Sequence, residues 1–158
     1  YEMSASLVGS EMCIRDSHSA YLHTEKAEGK DNIFKTPAGI TAMQLCYPVF
    51  FDEAVNKRGM SLEQFVHMSS TAAAKLYDLY PKKGIIEIGS DADLVIFDPA
   101  AKWTVENDKL FYLEKWTPLE GRTVTGRVDE TIVRGKTVYR DGEIQMEGGY
   151  GQFVAALR

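Results

Sequence analysis

A chain of 158 residues, 44% hydrophobic and 26% charged, has material for one cored domain or for a domain with an extension. Its formal charge of −5, with no basic cluster longer than two residues and no apolar run near the roughly 18 residues of a membrane span, offers no footprint for nucleic acid or a membrane. Cys13 and Cys46 stand in no C-x-x-C spacing, which excludes a zinc knuckle and a disulfide framework and leaves a cytoplasmic protein acting on small molecules or protein partners.

Residues 1–17, YEMSASLVGSEMCIRDS, begin without Met and keep neither helical nor alternating periodicity. SLVGSEMCIRDS is similar to a translated adapter sequence found at the ends of proteins read from short metagenomic fragments, so this stretch is expected to be non-native and is set apart from the fold. Residues 18–39 are rich in turn chemistry, EGKDN and then TPAG, and predict a long surface loop with a functional task. Apolar residues from Ile40 to Lys57 recur at helical spacing, kinked or started at Pro48 and ended by Gly59. Ser61 and Gln64 fit a capping box for a second helix, and Ser69 or Ser70 can cap a third through Ala72 and Leu76, closed by Pro81.

From Gly84 the period changes. Residues 92–98, ADLVIFD, read as a strand stopped by Pro99. Trp103 and Val105 make a short second strand, and Val124 belongs to another. Residues 130–139 read as a hairpin turning at Arg134 and Gly135, with a further turn at Asp141-Gly142. The glycine-rich end, residues 148–158, predicts a disordered tail.

Metal catalysis requires converging His, Asp, Glu or Cys side chains, and no H-x-H or H-E-x-x-H pair is present. His18 and His23 share no helical or strand face, and His67 reads as a packing or surface residue. Asp91 and Asp93 could suggest an acid and base, but they fit a turn better, with Asp93 alternating against a buried Leu94 and Ile96. Trp103, Tyr112 and Trp116 read as core rather than as a stacking platform. No residue of the chain is assigned a catalytic or metal-binding role on this basis.

Four ordered segments, HSAYLHTEKAEG…TPAG, FFDEAVNKRGMSLEQFV, SSTAAAKLYDLYPKKGIIEIGSDADLVIFDP and TIVRGKTVYRDGE, resemble the cyclic amidohydrolases, which open allantoin, hydantoins, dihydropyrimidines and dihydroorotate. The resemblance implies an α/β parent. Residues 18–80 would hold the last helices of a (β/α)8 metal-dependent hydrolase barrel, and residues 81–147 part of a C-terminal β-sandwich. It implies a bridging hydroxide attacking the ring carbonyl at two zinc ions joined by a carboxylated lysine, with every ligand upstream of this chain. The family's catalytic aspartate falls at Ser17. Asp16 is one residue too early and is not given its role, so the chain alone is expected to be inactive.

What does carry over is the backbone of Pro37, Ala38 and Gly39, expected to line a small cyclic amide and to bond its donor and acceptor edge. Residues 51–62, Gln44 and TPLEGRTVTGR are most similar to the allantoinase branch. Tyr21 and LYPKKG also occur in hydantoinase-like and dihydropyrimidinase-like sequences, while Tyr21 stands where dihydroorotases place a histidine. The intact protein is expected to form a homo-oligomer. The alternative is a metal-free assembly scaffold of the dihydropyrimidinase type. Either way, helices cut from their barrel would expose apolar surface and favour association.

Overall fold

Aromatic and aliphatic side chains at helical spacing make residues 43–56 the element on which both halves of the chain pack. The computed structural model describes residues 21–37 and 39–157. The segment 1–17, with Asp16 and Ser17, and also His18 and Ala38, lie outside the described residues.

A short helix α1 (His23–Ala27) and a 3-10 turn (Ile33–Lys35) lead to α2 (Met43–Phe51), which widens without a break into a π-helical turn (Asp52–Asn56). Pro48 lies inside α2 rather than at its start, its ring buried, so that packing offsets the ladder bond its missing N–H removes. Gly59 ends the run, with its N–H donating to the Val55 carbonyl at 3.1 Å and the Met60 N–H reaching back to Ala54 at 2.9 Å.

The capping box forms as the spacing predicts: the Gln64 N–H donates to Ser61 Oγ at 3.2 Å and the Ser61 N–H to Gln64 Oε1 at 3.1 Å. It starts α3 (Leu62–Val66). The expected separate third helix is not separate. A π-helical turn (His67–Thr71) joins α3 directly to α4 (Ala72–Leu76). Ser69 caps nothing; its hydroxyl returns to the Phe65 carbonyl at 2.8 Å, satisfying itself without breaking the rod.

Ile85, Ile86 and Ile88 belong to no strand, and the last two are fully open to solvent. The sheet is an antiparallel meander in the order β1 (Leu94–Thr104), β2 (Thr123–Val133), β3 (Lys136–Arg140), β4 (Glu143–Ile144). Pro99 does not stop β1. Asp98 pairs with Arg127 and Lys102 with Thr125, so Pro99, Ala100 and Ala101 bulge out opposite Gly126. A proline is admissible there because a bulge owes the ladder no donor, and Asp98 Oδ1 accepts the Ala100 and Ala101 amides at 2.9 and 3.2 Å. The residues expected as two short strands are therefore one bent strand.

The hairpin turn at Arg134 and Gly135 forms as read, both residues at positive φ. The tail has no regular structure through residue 157, yet it is docked rather than loose. The Arg134 guanidinium lies 4.3 Å from the centre of the Tyr150 ring and donates to the Tyr150 carbonyl, and the Leu157 N–H donates to Asp78 at 2.7 Å.

Two apolar groups hold these layers together. Leu45 of α2 meets Val105, Leu110 and Val124 on one side, with Trp103, Tyr112 and Leu119 around them. On the other, the Phe65 ring is surrounded by Tyr47, Phe50 and Phe51, and Phe51 stacks edge-on with Phe97 of β1. The core reading of Trp103 and Tyr112 holds; the Trp103 indole also donates to the Gly126 carbonyl at 2.8 Å.

Between α2 and β2 lies one buried carboxylate, Asp52. Its Oδ1 accepts from the Thr125 N–H at 3.2 Å and from Asn56 at 3.4 Å, and its Oδ2 is 2.7 Å from the Lys57 ammonium. Burial pushes this carboxyl up, but Lys57, the Thr125 amide and Asn56 together outweigh it and hold the group below its ordinary value. A pKa lower in the folded than in the unfolded chain gives stability that is complete above the unfolded value and lost as pH falls through the folded one. The melting temperature is expected to stay level from neutral pH to about 5 and to fall below about 4, with D52N shallower over that acid limb. A pH series of thermal melts reads this directly, and an unchanged acid limb in D52N would refute the assignment.

Candidate functional site

The loop between α1 and α2 is built by close backbone approach and one lysine. Glu25 Oε2 accepts the Leu22 N–H at 2.7 Å and starts α1, whose single turn brings Lys26 over the Tyr21 ring at 5.4 Å. The chain then folds back so tightly that a Cβ at Gly29 would stand 1.5 Å from Thr36 Oγ1, so only glycine fits. That return places Pro37 and Gly39 beside Lys26. Its ammonium donates to the Pro37 carbonyl at 2.6 Å and also to the Gly39 carbonyl.

The exit of the loop is tied to the sheet. Thr41, fully buried, donates its hydroxyl to the Trp116 carbonyl at 2.5 Å. The Gln44 N–H donates to the Tyr112 hydroxyl at 2.5 Å, while the Gln44 side chain accepts the Phe111 N–H at 2.8 Å and donates to the Lys109 carbonyl at 3.2 Å. Pro37, half-buried, and Gly39, exposed, are thus held from both ends. Neither the Gly39 nor the Ile40 N–H meets an acceptor among the described residues. Pro37 has no N–H, so the donors this run presents among the described residues are those of Gly39 and Ile40.

Lys26 is the residue that sequence reasoning missed. A single lysine in a polar loop has no diagnostic spacing; the one available cue was that a Pro-Ala-Gly run leaves carbonyls with few local donors.

The other sequence candidates go elsewhere. Asp91 and Asp93 both grip Lys83, Asp91 at 2.8 Å, and Asp93 also accepts the Arg134 N–H at 2.7 Å. Burial raises the Asp93 carboxyl, but Lys83 and the Arg134 amide outweigh it and leave it lowered, a fixed anion rather than a proton donor. These groups lock the segment after α4 to the β2–β3 turn. Leu94 is only half-buried and Ile96 is exposed, against the expected burial of both. His67 is exposed at the start of the π-helical turn, as a surface residue.

No three His, Cys, Asp or Glu side chains come together as a metal site among the described residues, which therefore do not fit the two zinc ions implied by the resemblance. A groove of about 930 Å³ opens between Met43 and Tyr47 of α2 and Val95, Thr131 and Tyr139 of the sheet. Neither Pro37 nor Gly39 lines it, and its Lys115 is spent on the Leu110 carbonyl. No helix among the described residues is long and apolar enough to cross a membrane.

What the geometry shows is a lysine behind the loop, bonded to the Pro37 and Gly39 carbonyls, with the Gly39 and Ile40 amides left without an acceptor among the described residues. Comparison with known proteins places the chain in a family. The profile of the amidohydrolase family matches residues 16–138. The chain is 37% identical to a D-hydantoinase of Geobacillus stearothermophilus over 147 residues, 93% of this chain and 30% of that protein. It is 40% identical to an allantoinase of Escherichia coli K12 over 147 residues, 90% of this chain and again 30% of the relative. The crystal structure of dihydropyrimidinase from Brevibacillus agri superposes with a TM-score of 0.83 at 30% identity, over 99% of this chain and 36% of that one. The chain thus spans about 30% of the length of the curated relatives it matches.

Proposed function

The chain belongs to the amidohydrolase family, and from that premise we propose that it is the C-terminal third of a cytoplasmic hydrolase that opens cyclic amides such as allantoin, hydantoins or dihydropyrimidines. The observation that carries this reading is that relatives named hydantoinase and allantoinase each match nine-tenths or more of the chain at similar identity. In this reading α2 to α4 are outer helices at the end of a (β/α)8 barrel, and the four-stranded sheet is part of a β-sandwich beside it. The exposure of Ile86, Ile88, Leu113 and Phe153 supports burial against the rest of the parent or against further copies of it in a homo-oligomer.

Ring opening adds the oxygen of water to the ring carbonyl carbon and breaks the C–N bond, leaving a carboxylate and a protonated ring nitrogen. Two zinc ions bridged by a carboxylated lysine belong to the proposal, held outside this segment. The segment's own share is recognition. The backbone of Pro37, Ala38 and Gly39, with Ala38 outside the described residues, lines the ring, and amides at its end donate to a ring carbonyl.

The test is a ring-opening assay of the 158-residue chain and of the full-length protein on hydantoin, allantoin and dihydrouracil. The full-length protein is expected to open at least one ring and the short chain none. Zinc-dependent turnover by the short chain would overturn the division of labour; a full-length protein inert on all three would overturn the function in favour of a scaffold. Sequencing the source DNA upstream of the His18 codon is expected to show an aspartate codon beside it, where this chain has Ser17.

A further inference from the structure

The Lys26 clamp has a consequence for how the loop meets a ligand. An ammonium has three N–H donors, and here two go to the Pro37 and Gly39 carbonyls while the cation also sits 5.4 Å from the centre of the Tyr21 ring. In a trans peptide the carbonyl oxygen and the next N–H point in opposite directions within one plane. Drawing the Gly39 carbonyl to Lys26 therefore turns the Ile40 N–H to the opposite side, where it has no acceptor among the described residues.

We propose that Lys26 is the positioning residue of this loop: by holding the Pro37 and Gly39 carbonyls on one side, it aims the Gly39-Ile40 peptide at the carbonyl of a cyclic amide on the other. This deepens the reading above and rests on it. Lys26 touches no reacting atom; it acts through the peptide it orients. Arginine can also bridge two carbonyls, whereas methionine keeps the apolar stem and loses every donor.

The experiment compares wild type, K26M and K26R at two levels. Steady-state kinetics of the full-length protein on the ring it opens best are expected to show KM raised about tenfold in K26M with a smaller change in kcat, and K26R restoring most of it. NMR on the 158-residue chain is expected to show the Pro37 and Gly39 carbonyl resonances moving upfield in K26M and the Gly39 order parameter dropping below about 0.6. An active protein whose K26M variant keeps its KM overturns the inference alone, whether or not the loop loosens. So does K26R behaving like K26M while the loop stays ordered. A wild-type protein that opens no cyclic amide overturns the functional reading, and the positioning role falls with it; the NMR arm then still shows whether the clamp exists.

Discussion

Replacing Gly126 by alanine is expected to lower the melting temperature by about 10 °C, from two costs that act at one atom. Gly126 is buried in the middle of β2 at φ 116°, opposite the Pro99 bulge. A side chain at that backbone angle costs on the order of 1–3 kcal/mol in strain. The new Cβ would also lie 2.7 Å from Phe51 Cδ1 and 2.7 Å from Phe97 Cζ, so two rings of the core must move. Overpacking of this kind costs about 1–3 kcal/mol more. The sum, about 4 kcal/mol, converts at roughly 2–4 °C per kcal/mol for a domain of this size.

Gly135→Ala separates the two costs. Gly135 also has positive φ, 76°, but nothing lies within 4 Å of its ideal Cβ, so only the strain applies. Thermal melts of both variants check the argument. Equal shifts would show that the rings yield freely, and a Gly126→Ala melt within about 2 °C of wild type would remove Gly126 from the set of positions on which β2 depends.

Phe65→Ala is expected to cost about 3–5 kcal/mol, the range for emptying a buried aromatic position. Phe65 is 1% exposed, and its ring centre lies 5.0 Å from that of Tyr47, 5.4 Å from Phe50 and 5.3 Å from Phe51. It is the buried ring by which the α3–α4 rod packs on three aromatic rings of α2. The capping box at Ser61, by contrast, contributes about 1 kcal/mol, so burial and not capping decides whether the rod stays docked. Phe65→Leu, which keeps most of the apolar volume, should lose markedly less. Denaturant unfolding of both variants measures the difference, and equal losses would mean that the site collapses around either side chain. The loop exit should survive the change, since Thr41 and Gln44 are anchored to the sheet side of α2.

These two positions also show where sequence reasoning reaches its range. The Ser61–Gln64 box, the stop at Gly59 and the turn at Arg134-Gly135 were legible because each is decided by hydrogen bonds within about four residues. The same local logic went wrong at Ser69, where a polar side chain that could cap instead satisfied itself on the Phe65 carbonyl. It went wrong again at Pro99, where a residue that ends an ordinary strand sits in a bulge opposite Gly126. At the loop it singled out Pro37 and Gly39 as candidates, and no local pattern pointed to Lys26, 11 residues before Pro37, whose ammonium bonds both carbonyls.

By itself the sequence determined the family resemblance, through four segments in a fixed order, and the places where the backbone must turn. Tertiary structure alone decided that two helices are one rod and two strands one bent strand, and that a lysine clamps the loop. The physical reason is reach. Turns and caps are closed by neighbours along the chain, so residue order contains them. Bulges, clamps and docked rods depend on close approach between residues distant in sequence, as when Phe51 and Phe97 close over Gly126, and only the folded chain brings those atoms together.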